Sequence, residues 1–163
     1  MGTRINLAET YHFRVAGTRL TVYKKRGESY EHVLMKALGF VLYLPHFPLL
    51  EVERRIGLRY KPDLIALDEQ GKADFWGECG HVGLRKVGWL AKHSGARQIA
   101  LFKYAITAKH FIQQVQDEVE PKYRPAGRLT LFNFAPLIVH EINPQHQEEI
   151  NDIPPEWYER YDI

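Results

Sequence analysis

Residues 61–80 read as a β-hairpin that carries an acidic side chain at the open end of each arm. The arms, residues 64–67 (Leu-Ile-Ala-Leu) and 73–79 (Ala-Asp-Phe-Trp-Gly-Glu-Cys), are mainly apolar, and a short polar connection containing Gly71 separates them. Such a connection between two apolar runs is typical of an antiparallel hairpin. Pairing of the arms then decides which side chains meet.

The two acidic residues, Asp63 and Glu78, are predicted to lie at the same end of this hairpin. Because side chains alternate along a strand, we expect Trp76, Glu78 and Gly80 on one face. Cys79 is expected on the other face, as a small buried apolar residue. Oxygen ligands so placed suit Mg²⁺, which often takes one or two protein carboxylates together with water and phosphate. The alternative is a pair of solvated carboxylates on a surface hairpin.

A helix predicted before the hairpin offers a third carboxylate. Ser29 is a suitable N-cap, and apolar residues follow it at helical spacing through Leu42. Glu31 lies in the first turn, where an acidic side chain also complements the helix dipole without any metal. His32, its neighbour, is expected to point to a different part of the helix. Glu31 is therefore a candidate third ligand.

A second helical segment, residues 81–91, brings a basic pair close to the glutamate. Arg85 and Lys86 lie within about two helical turns of Glu78, so their long side chains can reach back over it. A solvated helix face is the alternative for such a pair. His81 is close enough to act as a proton carrier or ligand, but no histidines have the paired spacing of a zinc site.

The order of these parts resembles the PD-(D/E)XK phosphodiesterase superfamily, and more closely its YaeQ-like branch. The motifs that carry the resemblance are Glu28-Ser29-x-Glu31 with Met35, Lys36 and Leu38, then Pro62-Asp63, Asp74-x-Trp76-x-Glu78-x-Gly80, Arg85-Lys86 and the apolar strand 99–104. The resemblance implies an α/β fold of the restriction-endonuclease type. Its mixed central β-sheet, flanked by helices in an αβββαβ core at about 28–104, would carry an extra N-terminal hairpin and a C-terminal extension.

The same resemblance implies a metal-dependent nuclease. Asp63 and Glu78 would hold Mg²⁺ or Mn²⁺, and Glu31 would bind a second ion or position a water. The usual superfamily lysine position is Gly80 here, a glycine that YaeQ-like chains share, so a basic residue from the next helix would replace it. Lys86 is the first choice and Arg85 the reserve, because arginine cannot lose its proton at neutral pH.

Charge is distributed unevenly along the chain. Residues 1–140 contain 21 Lys and Arg against 13 Asp and Glu, a net charge of +8, whereas residues 141–163 contain one Arg against seven acids, a net charge of −6. The basic residues cluster at Lys24-Lys25-Arg26, at Arg54-Arg55 with Arg59 and Lys61, and at Arg85-Lys86. Such clusters fit a phosphate backbone, although they are also common on solvated surfaces. Nucleic acid, DNA or RNA, is the expected partner.

The 163 residues suit one domain, and the acidic segment 141–163 is expected either to cover the basic groove or to dock peripherally through its aromatic residues. Further predicted elements are strands at 5–15 and 19–23, an irregular connector or short helix at 44–55, a helix at 107–119 and a strand at 129–134. A single cysteine excludes an internal disulfide. With no apolar run of membrane-spanning length and no signal-peptide core, we expect a cytoplasmic protein without a membrane partner.

A metal-dependent nucleic-acid phosphodiesterase is the leading interpretation. The first alternative is a catalytically inactive protein of the nuclease fold that binds nucleic acid or a protein partner. A third interpretation is a structural cation site. Gly80 favours the two non-catalytic readings, and the three carboxylates with the basic pair favour chemistry.

Overall fold

The computed structural model describes residues 9–142 and 149–163 and has a mixed β-sheet with helices on both faces. The strands are β1 (Glu9–Val15), β2 (Thr18–Lys24), β3 (Glu51–Val52), β4 (Leu64–Leu67), β5 (Ala73–Cys79), β6 (Gln98–Tyr104), β7 (Leu129–Phe134) and β8 (Tyr158–Asp162). The helices are α1 (Tyr30–Tyr43), α2 (Leu84–His93), α3 (Ala108–Glu118) and α4 (Ile138–Glu141). None of the helices in these two ranges is long and apolar enough to span a membrane.

Six strands form the main sheet in the order β3-β4-β5-β6-β7-β8. The hairpin of β4 and β5 is antiparallel, with Leu64 opposite Gly77 and Ile65 opposite Trp76, as the sequence predicts. Strands β5, β6 and β7 are parallel, so their carboxyl ends share one edge of the sheet. Because β4 runs the other way, it begins at that same edge. The predicted α/β architecture with a mixed central sheet is thus confirmed.

The sheet separates two apolar cores. Helix α1 packs on one face, against residues that include Phe75, Cys79 and Phe102. Helices α2 and α3 pack on the other face, against residues that include Trp76 and Leu101. The period-two alternation along β5 therefore agrees with the predicted faces of its side chains.

Helix α1 begins where the sequence predicts and lies very close to the sheet. The Ser29 side chain accepts a hydrogen bond from the backbone N–H of His32 at 3.2 Å, the N-cap contact expected of serine. At Gly39 an added Cβ would lie 2.9 Å from atoms of both Leu64 and Phe102, so only glycine allows this approach. The close packing fixes the position of the helix start next to the edge where β4 begins.

Three segments refine the sequence-based expectations. Strands β1 and β2 form the predicted N-terminal hairpin, as a separate two-stranded sheet that packs on α1; the start of the predicted strand, residues 5–8, lies outside the described residues. The expected connector at 44–55 contains β3, which pairs with β4. The acidic tail docks at the periphery through its aromatic residues, one of the two expected arrangements, and it does so as β8, an edge strand antiparallel to β7. The acidic composition of the segment does not indicate a strand, because its acids face solvent while Tyr158 and Tyr161 pack on the two cores.

Candidate functional site

The two predicted sheet carboxylates meet at the edge formed by the start of β4 and the end of β5. The β4–β5 register pairs Leu64 with Gly77, and one further step places Asp63 opposite Glu78. Asp63 also accepts a hydrogen bond at Oδ2 from the backbone N–H of Cys79, at 2.8 Å. The hairpin thus brings together the two acids that the sequence assigns to one site.

Glu78 is buried, with 4% of its surface exposed, and both of its oxygens are hydrogen bonded. Oε1 accepts from the indole Nε1 of Trp76 at 2.8 Å, and Oε2 accepts from Lys86 Nζ at 2.9 Å. Burial, and next the negative charge of Asp63, raise the pKa of Glu78 to about 7, although Trp76 and Lys86 oppose the shift. At neutral pH this carboxyl group is thus poised between its protonated and ionised forms.

The pKa of Asp63 is shifted in the opposite direction from that of Glu78. Burial alone would raise its pKa, but His32, the Cys79 N–H and the charge of Lys36 together lower it below the ordinary value. His32 Nε2 lies 3.7 Å from Asp63 Oδ2, which is ion-pair distance and too long for a hydrogen bond. His32 and Glu31 point to different parts of α1, as expected, but it is His32 and not Glu31 that faces the start of β4.

The two basic residues predicted on α2 take different positions. Lys86 donates its hydrogen bond to Glu78, and its Nζ also lies 5.0 Å from the centre of the Tyr60 ring, a cation–π distance. Arg85 is exposed, and within the described ranges it forms no ion pair. Of the predicted basic pair, only Lys86 contacts a site carboxylate.

Glu31 does not join this contact network. It is half-buried in the first turn of α1, and within the described part of the chain its carboxylate makes no hydrogen bond or ion pair. The acidic groups that approach Asp63 from this side are instead linked through Lys36. They are Glu28, which precedes the helix, and Glu53, which follows β3.

Lys36 was not predicted to have a role, yet it is the most deeply buried charge near the site, with none of its surface exposed. Its Nζ lies 2.6 Å from Glu53 Oε1 and 3.3 Å from Glu28 Oε2. Burial would lower the pKa of Lys36, but the hydrogen bond to Glu53 and the nearby charges raise it above its usual value. A lysine inside the otherwise apolar run of residues 33–42 is the sequence signal that could have identified it.

Gly80 interrupts the alternation that the sequence suggested. It follows β5 with φ of +80°, and a Cβ there would lie 3.6 to 3.7 Å from His32 and Met35 of α1. A side chain at this position would therefore face α1 and not the face of Glu78. The carbonyl of Gly80 accepts a 2.7 Å hydrogen bond from Nζ of Lys103, on the neighbouring strand β6.

The carboxylates of the site could hold a divalent metal ion as a pair and not as a larger cluster. In the ranges 9–142 and 149–163, no three His, Cys, Asp or Glu side chains converge closely enough to hold an ion. The pair of Asp63 and Glu78 still fits Mg²⁺, which commonly takes only one or two protein carboxylates. The hydrogen bond and ion pair of Asp63 both use Oδ2, and Lys86, with a quarter of its side chain exposed, can leave Glu78 Oε2.

Comparison with known proteins bears on the fold. No protein-family profile and no curated protein matches the sequence. Among solved structures, the crystal structure of YaeQ from Xanthomonas axonopodis pv. citri has a TM-score of 0.61 at 18% identity, covering 87% of this chain and 81% of that one. YaeQ from Pseudomonas syringae has a TM-score of 0.65 at 13% identity, covering 95% and 89% respectively. The chain therefore has a YaeQ-like fold.

Proposed function

We propose that the chain is a metal-dependent phosphodiesterase that cleaves nucleic acid, with a PD-(D/E)XK site on a restriction-endonuclease-like sheet. The observation that carries the proposal is the sheet edge where Asp63, one residue beyond the Leu64–Gly77 pair, accepts from the Cys79 N–H, and where the Lys86 ammonium lies 2.9 Å from Glu78. Two carboxylates and a lysine ammonium at one sheet edge are the elements that phosphodiester hydrolysis requires.

Asp63 and Glu78 would hold Mg²⁺ or Mn²⁺. When bound, the ion supplies an activated water and neutralises charge that develops on the phosphate. Lys86, once released from Glu78, contacts a phosphate oxygen as a fixed cation. Glu31 remains the candidate for a second ion or for positioning a water, and Arg85 the reserve cation for the substrate backbone.

The partner proposed for this site is DNA or RNA. Residues 1–140 carry a net charge of +8, so phosphates are attracted to the body of the protein. Arg85 is exposed on the same helix as Lys86 and is available to a strand that approaches the site. Binding at this surface is expected to weaken steeply as salt concentration rises.

The decisive experiment is cleavage of end-labelled single-stranded and duplex DNA and RNA with Mg²⁺, with Mn²⁺ and with EDTA. We expect metal-dependent cleavage by the wild type and none by Asp63→Ala. Asp74→Ala is the matched control, because Asp74 is a carboxylate near the other end of β5 that pairs with Arg97. Cleavage by Asp63→Ala at the wild-type rate, or no cleavage of any substrate by the wild type, would overturn the proposal.

A second candidate is a nuclease-fold protein that binds nucleic acid, or a protein partner, without cutting. It is favoured by the absence of a lysine at position 80 and by the internal neutralisation of Glu78 by Lys86. This candidate predicts salt-dependent binding of a labelled oligonucleotide with no cleavage in any divalent metal. It also predicts that Asp63→Ala leaves the binding affinity unchanged.

A further inference from the structure

A cavity of about 510 Å³ lies beside the proposed site, between the starts of α2 and α3. Its lining includes Lys103 from β6, Gly83 and Leu84 at the start of α2, and Thr107, His110 and Phe111 at the start of α3. It opens at the carboxyl ends of the parallel strands, where open α/β sheets commonly bind ligands. Its size suits one nucleotide unit.

Lys103 gives this cavity a buried positive charge. Its residue surface is 6% exposed, and its Nζ donates to the neutral carbonyl of Gly80 while lying 4.8 Å from the centre of the Phe111 ring. Within the two described ranges, no carboxylate lies at ion-pair distance from this ammonium. A buried ammonium held by one carbonyl and one ring keeps donor capacity for an anion.

The two helix starts that border the cavity add to its positive potential. The N-caps of α2 and α3 are Gly83 and Thr107, and neither makes a side-chain capping hydrogen bond. Neither helix has an acidic residue in its first turn. The backbone N–H groups of both helix starts are therefore free of local carboxylates that would compete with a bound anion.

Resting on the proposed function, we propose that this cavity binds the phosphate of a nucleotide that flanks the cleaved bond, with Lys103 as its cationic contact. Phosphate chemistry fits because it combines negative charge with several acceptor oxygens, which matches an ammonium and two helix starts. Leu84 and Phe111 supply apolar surface for the attached nucleoside. A larger cavity of about 620 Å³ near the chain end is lined by Glu156 and Glu159, whose charges repel phosphate.

The test is calorimetric titration of the protein with inorganic phosphate, a nucleoside 5′-monophosphate and a short oligonucleotide lacking a terminal phosphate, all in EDTA. We expect Lys103→Met to weaken binding of phosphate and of the mononucleotide at least about tenfold. Lys92→Met is the charge-matched control, because Lys92 is in the last turn of α2, about 12 Å from its start. The Lys92→Met variant is expected to bind phosphate and the mononucleotide as tightly as the wild type does.

Thr107→Asp provides a variant whose expected loss of binding is not a folding defect. An aspartate at this exposed N-cap caps α3 and fills the anion position with a carboxylate, so thermal stability is kept or raised while phosphate binding is lost. If phosphate binding is absent in the wild type, or within twofold of wild type in both Lys103→Met and Thr107→Asp, the cavity is not a phosphate site. Comparison of inorganic phosphate with the nucleoside 5′-monophosphate shows whether the nucleoside contributes to binding. Equal affinity for the two would overturn the nucleotide assignment.

The two proposals fail in different ways. Asp63→Ala is expected to keep phosphate binding, because Asp63 does not line the cavity. Phosphate binding without cleavage of any substrate would support the cavity and overturn the phosphodiesterase. Metal-dependent cleavage with no phosphate binding in EDTA would overturn the cavity and leave the phosphodiesterase supported.

Discussion

Lys86 Nζ lies 2.9 Å from Glu78 Oε2, so a cation from α2 already occupies one oxygen of the carboxylate that a metal would need. The contact joins the end of β5 to the first turn of α2, two elements that are separated in the chain only by a short loop. Removing either partner therefore changes both the charge and the ligand capacity of the site.

For metal affinity, we predict that two substitutions at the site have different effects. Lys86→Met frees Glu78 Oε2 and removes a competing cation, so Mn²⁺ affinity measured by calorimetry should stay within threefold of wild type or increase. Asp63→Ala removes a ligand and should reduce the affinity at least about tenfold. An Mn²⁺ affinity that is lost in Lys86→Met and retained in Asp63→Ala would show that the carboxylate pair is not the metal site.

The stability of the fold should depend on pH through Glu78. The carboxyl group has a pKa of about 7 in the fold and 4.5 ordinarily, so the folded state binds more protons between these values. Stability contributed by this group is therefore present at pH 4.5 and lost as pH rises through 7. Between pH 5 and pH 8, the free energy of unfolding of the wild type, measured in urea, should fall by roughly 1–3 kcal/mol more than that of Glu78→Gln. Equal losses of unfolding free energy in the wild type and in Glu78→Gln would contradict a raised pKa of Glu78.

Lys103 should destabilise the fold near neutral pH. Burial lowers its pKa from 10.5 to about 8, so its charged form is disfavoured in the folded state. The destabilisation is fully present below pH 8 and disappears as pH rises toward 10.5, because both states then lose the proton. Lys103→Met should accordingly have a higher thermal midpoint than wild type at pH 7, and the difference should shrink by pH 9.5. A lower midpoint at pH 7 would show that the Gly80 contact outweighs the cost of burial.

Lys36 should be essential for the fold in a way that an exposed lysine next to the same glutamate is not. Lys36→Met leaves Glu28 and Glu53 without their buried cation, and we expect a loss of about 3–5 kcal/mol in free energy of unfolding. Lys25 is the control, since its Nζ lies 3.8 Å from Glu53 Oε1 with half of its side chain exposed. Lys25→Met should cost less than about 1 kcal/mol in urea unfolding. Similar losses for the two variants would indicate that burial does not matter here.

Gly80 is expected to be required for its backbone conformation and not for space. At φ of +80° an alanine is strained, while its Cβ would meet only ordinary contacts at 3.6 Å or more. Gly80→Ala should therefore cost about 1–2 kcal/mol. Gly83→Ala is the control, because that residue has φ of −68° and no atom within 4 Å of an added Cβ. If Gly80→Ala has the same free energy of unfolding as the wild type in chemical denaturation, the requirement for glycine at this backbone conformation is contradicted.

The sequence by itself determined the local elements and the pairing of the two acids. Two short apolar runs around a glycine-containing loop specify the β4–β5 hairpin, and that pairing alone carries Asp63 to Glu78. Ser29 with the apolar spacing after it specifies where α1 begins. Each of these features depends on residues close together in the chain, which is why spacing and residue type are enough to predict them.

Only the tertiary structure decided what surrounds the pair. Lys36, Glu53, His32 and Lys103 reach the site from three separate elements, and no sequence spacing encodes how α1 or β6 lies against β5. The tail strand β8 was hidden for the same reason, since its partner β7 is more than twenty residues away along the chain. Long-range packing around Gly39 and the parallel strands, which depends on the shape of the whole core, set these positions.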